Sequence, residues 1–197
     1  WSGFLLAVSL FTIFVDRHTD LDLFCWELPA SWFRNANSFY ILGFSAPFGA
    51  LWLWLNKRNL NPSVPVKFGL GLIQLGLGFF IMYLAAQRIL DGSLAGMGFL
   101  TFTYLLHSLG ELCISPVGLS SYTKLAPKKY YSQMMGLWFV GASLGNLIAG
   151  LFAGNFNEDN VEAMPDLFMQ FCIYGIVAGL VMIIFYKPIK NWMGGIE

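Results

Sequence analysis

The sequence predicts an all-α membrane protein of six transmembrane helices, and three observations predict it. Apolar residues make up 57% of the 197 residues and charged residues only 11%, against roughly a quarter charged in a soluble domain. Such a chain lacks the polar surface to face water on all sides. Aromatic residues reach 17%, with 19 Phe and 7 Trp, which suits a lipid-facing exterior better than a soluble core of this size. Six apolar runs alternate with polar loops, and each run must be helical because lipid offers no partner to an open backbone.

A spanning helix needs roughly 20 apolar residues. The first run, Trp1 to Val15, is short at its front, and a polar loop follows, VDRHTDLDLFCWELPASWFRN, in which Pro29 breaks any helix. The second covers about Asn37 to Leu55 and stops at NKRNLNPSVPVK. The third, Phe68 to Ala86, is rich in glycine. QRILDGS leads to the fourth, Leu94 to Leu119, and TKLAPKKYYS to the fifth, Gln133 to Ala153. The acidic stretch NFNEDNVEAMPD precedes the sixth, Leu167 to Tyr186, and the basic tail YKPIKNW follows. In the fifth run, Gly141, Gly145, Gly150 and Gly154 form small-xxx-small pairs that let helix backbones approach, so they are expected to pack against other helices.

Loop charge tests the count independently. Lys57, Arg58, Lys67, Lys124, Lys128, Lys129, Lys187 and Lys190 fall on one side of a six-span arrangement. Arg17, Arg34 and Arg88 fall on the other, with nine of the eleven acidic residues. Positive loops stay in the cytoplasm, so the C-terminus is expected there. Net charge is zero, which gives nucleic acid no electrostatic handle. Cys25, Cys113 and Cys172 are widely spaced, without a metal or disulfide pattern. The chain opens on Trp1, not Met, inside an apolar run, so a preceding N-terminal portion is expected.

Apart from residues at helix ends, one acid lies within a span: Glu111. A charge at mid-bilayer costs several kcal/mol (about 2.5–3.5 on insertion scales) and is retained where it pairs, lines water or changes protonation. His107 stands at i−4 and Ser115 at i+4, so the three form one polar stripe on a helix face. Pro116 and Gly118 are expected to interrupt that helix and allow a hinge. Such a stripe beside a helix break is how substrate and proton paths are built. The plainer alternatives are a neutral Glu111 hydrogen-bonded between helices, a His107 that only packs, and a Pro116 that only kinks.

Two strings in this region, GELCISPVGLSSYTKLAP and MMGLWFVGASLGNLIAG, closely resemble the tenth and eleventh helices of the proton-dependent oligopeptide transporters. FVDRHTDLDLFCWELPASWFRNANSFYI is similar to that family's seventh helix, the loop after it and the start of the eighth. The resemblance covers nearly the whole chain, and implies that residues 1–197 are the C-terminal six-helix bundle of a major facilitator fold. It implies that Glu111 meets a peptide's amino terminus, that Asn37 hydrogen-bonds the peptide backbone and that Ser115 faces the same site. Trp138 would wall a side-chain pocket, and Trp1 falls where a seventh-helix tryptophan is expected. Two departures stand out: Leu5 and Leu6 replace a frequent Glu-Gln pair, and Arg34 and Ser38 replace the glutamine and proline around the asparagine. The family's ExxER-type proton motif belongs to the N-terminal bundle and does not occur in this sequence.

The expectation that follows is half of a proton-coupled symporter of di- and tripeptides working by alternating access, in which Glu111 and His107 carry the proton coupling and Pro116 and Gly118 serve as gate or hinge. Its partners would be small peptides, protons, the lipid bilayer and an N-terminal six-helix bundle, with no cofactor or metal and the proton gradient as energy source. It would sit in a bacterial inner membrane. Alternatives are a related carrier of nitrate or another small solute, a non-transporting half-protein, and an intramembrane enzyme or metal site using His107, Glu111 and Cys113. The last is weakened by Cys113, two residues from Glu111 and so on another helix face.

Overall fold

A computed structural model of the chain describes residues 2–20, 22–23, 26–27, 30–154 and 163–193. Its long elements are helices: α1 Ser2–His18, α2 Ala30–Lys57, α3 Val64–Leu90, α4 Met97–Leu125, α5 Tyr131–Gly154 and α6 Met164–Ile184, followed by a short α7, Tyr186–Trp192. Five of them, α2 to α6, are long and apolar enough to cross a membrane. The described part of α1 has 17 residues, about 25 Å at 1.5 Å per residue, which falls short of the roughly 30 Å hydrocarbon layer.

Helices extend beyond the apolar runs that reveal them. α2 begins at Ala30 rather than near Asn37, because its first turns carry polar residues that hydropathy does not count. Two-residue strands replace a plain loop after α1: Thr19–Asp20 pairs in parallel with Ala95–Gly96, and Asp22–Leu23 pairs antiparallel with Trp26–Glu27. Pro29 lies outside the described residues. The connector from α3 to α4 turns through Gly92 at φ 81°, a left-handed conformation that glycine adopts without steric cost.

A correction concerns α4. It runs as one helix from Met97 to Leu125 with Pro116 inside it, so Pro116 and Gly118 do not interrupt it. Proline removes one backbone hydrogen bond, and membrane helices tolerate this where neighbouring helices and side chains support the turn.

α3 is the central helix, packed between α6 and α4, while α1 leans on α5 and α2 lies against α4. Glycine makes the central contacts close: a Cβ on Gly175 of α6 would lie 2.9 Å from Gly76 Cα of α3. No real side chain fits at that separation, so the two backbones touch directly. Of the α5 glycines expected to pack against other helices, Gly145 is buried, whereas two others lie open among the described residues. A Cβ on Gly141 or Gly150 would meet nothing within 4 Å, and the same holds for Gly43 and Gly49 of α2.

An aromatic cluster ties α1 to the rest. Phe11 of α1 packs against Phe79 of α3 and Tyr104 of α4, both at 5.7 Å between ring centroids, and against Phe168 of α6 at 6.3 Å. All four are buried. Such pairs add about 0.5–1.5 kcal/mol each beyond their buried area, which helps to hold a helix too short to be held by length.

Candidate functional site

Glu111 stands at the midpoint of α4 and is half-buried. The α2–α4 contact brings Asn37 opposite it, and the amide Nδ2 of Asn37 donates a hydrogen bond to Glu111 Oε2 at 3.2 Å. The other end of the amide is held by the Ser108 hydroxyl, which donates to Asn37 Oδ1 in a short contact. Ser108 Oγ also lies 2.8 Å from the carbonyl of Tyr104. One proton cannot serve both acceptors fully. The network assigns the amide orientation, with its oxygen toward Ser108 and its NH2 toward the carboxylate.

Glu111 and Asn37 open onto a cavity of about 110 Å3 between α1, α2 and α4, lined also by Phe4, Leu5, Val8, Tyr104 and His107. Among the described residues the Asn37 amide is the polar partner of Glu111, and no cation meets it. An ionised carboxylate offers about four lone-pair positions, so one amide leaves most of its accepting capacity for an N–H-bearing ligand group.

His107 lines the same cavity from a buried position. Its Nε2 lies 3.1 Å from the carbonyl of Leu75. A carbonyl only accepts, so Nε2 carries the hydrogen and Nδ1 is the nitrogen left to accept a proton. The ring stacks on Phe11 at 5.3 Å, tilts against Phe79 at 5.3 Å and meets the edge of Phe4 at 6.0 Å. Gly78 admits it, since a Cβ there would collide with the imidazole.

The remaining residues of the predicted site lie apart. Trp138 of α5 lines a separate apolar cavity of about 320 Å3 with Phe68, Leu72, Ile114 and Tyr122. Its ring meets Tyr122 edge-on at 5.4 Å and covers Gly118, where any Cβ would strike it. Ser115 Oγ is buried and makes no hydrogen bond among the described residues, and Ser115 does not line the Glu111 cavity. Pro116 borders a third cavity, toward Lys67 and Lys124. Trp1 lies outside the described residues. Leu5 lines the Glu111 cavity, whereas Leu6 points into the core at 2% exposure.

Sequence reasoning missed Ser108. It stands at i−3 from Glu111, the second of the two spacings that share a helix face, and a search at both spacings would have found it. Among the described residues no group of three or more His, Cys, Asp or Glu side chains is placed to hold a metal ion.

Comparison with known proteins gives consistent matches. Residues 7–169 match the model of the POT family, PTR2. The chain is 36% identical to peptide transporter YePEPT of Yersinia enterocolitica over 199 aligned residues, which cover 100% of this chain and 39% of that protein. It is 35% identical to a di-/tripeptide transporter of Lactococcus lactis subsp. cremoris, over 88% of this chain and 34% of the relative. Among solved structures, a point mutant of a POT peptide transporter in complex with alafosfalin superposes with a TM-score of 0.83 at 31% identity, covering 96% of this chain and 39% of that one. The chain therefore spans well under half the length of the proteins it matches. With a family match over most of its residues and agreement in both sequence and backbone, the chain belongs to the POT family of transporters.

Proposed function

We propose that this chain forms the C-terminal six-helix half of a proton-coupled symporter of di- and tripeptides that works by alternating access, with Glu111 gripping the peptide's amino terminus. The observation that carries the reading is the Glu111 carboxylate itself. It sits at mid-helix, it opens onto a cavity, and it is steadied by a neutral amide rather than neutralised by a cation among the described residues. An ammonium entering there meets an anion in a low-dielectric setting, where charge-assisted hydrogen bonds are strong. The names of the Yersinia and Lactococcus relatives support a peptide as the ligand.

Proton coupling follows from the same group. An ionised Glu111 holds the ammonium, and a protonated one has lost the charge that held it, so proton arrival favours release. His107, one turn away, shares the proton through Nδ1. Asn37 then reaches the peptide backbone, and Trp138 walls the pocket for its side chain. The glycine faces of α2 and α5, open in the described bundle, supply the surface for an N-terminal six-helix partner. The lysine-rich loops and C-terminus lie in the cytoplasm of a bacterial inner membrane.

Proton-driven uptake of dialanine by the full-length transporter tests this. Glu111→Gln keeps size and hydrogen bonding but removes the titratable charge, and uptake is expected to collapse to background. Near-normal uptake in that variant would remove Glu111 from the mechanism.

A further inference from the structure

At the lysine-rich end of the bundle, α2, α3 and α4 border an open cleft of about 400 Å3, lined by other residues than the Glu111 and Trp138 cavities. Its wall includes Trp52, Asn61, Lys67, Ser120 and Lys124, and no carboxylate. Lys67 reaches it from the first turn of α3 and is only 7% exposed, its ammonium held 4.6 Å from the centroid of the Trp52 ring. The Trp52 indole N–H is buried and has no hydrogen-bond partner among the described residues, and neither has the Asn61 side-chain oxygen. Two ammonium groups and an indole N–H thus line one open cleft, beside the Asn61 amide oxygen, which needs a donor in return.

We propose that this cavity binds a phosphate group carrying a hydroxyl. The phosphate oxygens would accept from Lys67, Lys124 and Trp52 Nε1, and the hydroxyl would donate to Asn61 Oδ1. A polyol phosphodiester headgroup such as that of phosphatidylglycerol has both features with a net negative charge. Free inorganic phosphate also has both. A zwitterionic choline headgroup has no hydroxyl and would bring a cation toward the two lysines. Basic pockets between helices near a membrane surface are known to select anionic headgroups.

The test uses the full-length transporter and does not depend on transport. Phosphatidylglycerol binding is measured by native mass spectrometry and by thermal unfolding in phosphatidylcholine nanodiscs with and without phosphatidylglycerol. Lys124→Gln, at an exposed position, and Lys67→Gln are each compared with the wild type and with the corresponding arginine variants. Binding should weaken about fivefold for each lysine neutralised, recover with arginine, and leave the unfolding midpoint of the Lys124→Gln protein in pure phosphatidylcholine unchanged. If inorganic phosphate in detergent stabilises the wild type but not Lys124→Gln, while phosphatidylglycerol binds both equally, the phosphate source is the free ion and the site stands. Equal phosphatidylglycerol binding by wild type and Lys124→Gln, with no stabilisation by inorganic phosphate, overturns the proposal.

Discussion

A carboxylate in the middle of a membrane helix is only as well placed as the groups that hold it. Ser108 fixes the Asn37 amide, and Asn37 fixes Glu111, so a serine without charge controls where a charge points. Removing one such hydrogen bond costs about 1 kcal/mol. Ser108→Ala should therefore weaken dialanine binding about fivefold while leaving the fold intact, and Ser108→Thr should restore it. Titration calorimetry on the full-length protein checks both. The prominence of Glu111 was legible in the sequence, because an acid inside an apolar run declares itself energetically. Its partners were less so. Asn37 came only through family likeness, since 74 residues separate it from Glu111. His107 was read as part of one stripe, yet one of its nitrogens is engaged with the Leu75 carbonyl and its ring lies among Phe4, Phe11 and Phe79. Sequence spacing places a residue on a face but does not say which neighbour occupies that face.

Hydropathy located the helices because lipid and core both demand apolar side chains, and for the same reason it could not orient them. A span that is apolar all round loses the 3.6-residue signature of an amphipathic helix. Glycine illustrates the consequence. The small-xxx-small pairs of α5 and the glycines of α3 look alike in sequence, but Gly76 touches α6 while Gly141 and Gly150 face open space. Substitution should separate them. Gly175→Leu drives a side chain into the α3 backbone, and should lower bundle stability by about 1–3 kcal/mol or more. Gly98→Ala, in open space on the first turn of α4, should change it by no more than about 0.5 kcal/mol. Thermal unfolding of the two variants reads the contrast. The ends of α2 and the short strands near α4 were also beyond hydropathy, since polar turns continue a helix that the apolar count has already ended.

At the scale of the molecule, the described bundle places polar chemistry on α4 and leaves one side of α2 and of α5 uncovered. Large apolar side chains stand exposed along both, among them Phe39 at 71% and Leu151 at 63%. Faces of this kind are what lipid or other helices cover in a membrane protein. The central claim is narrower: a peptide's ammonium binds the carboxylate of Glu111. It is tested most directly by comparing dialanine with N-acetyl-dialanine, which lacks the ammonium, for binding to the full-length wild type and to Glu111→Gln. Acetylation should weaken wild-type binding by about 10- to 100-fold, the range of a charge-assisted hydrogen bond, and should make little further difference once Glu111 is glutamine. An acetylation penalty of the same size in both proteins would contradict the account.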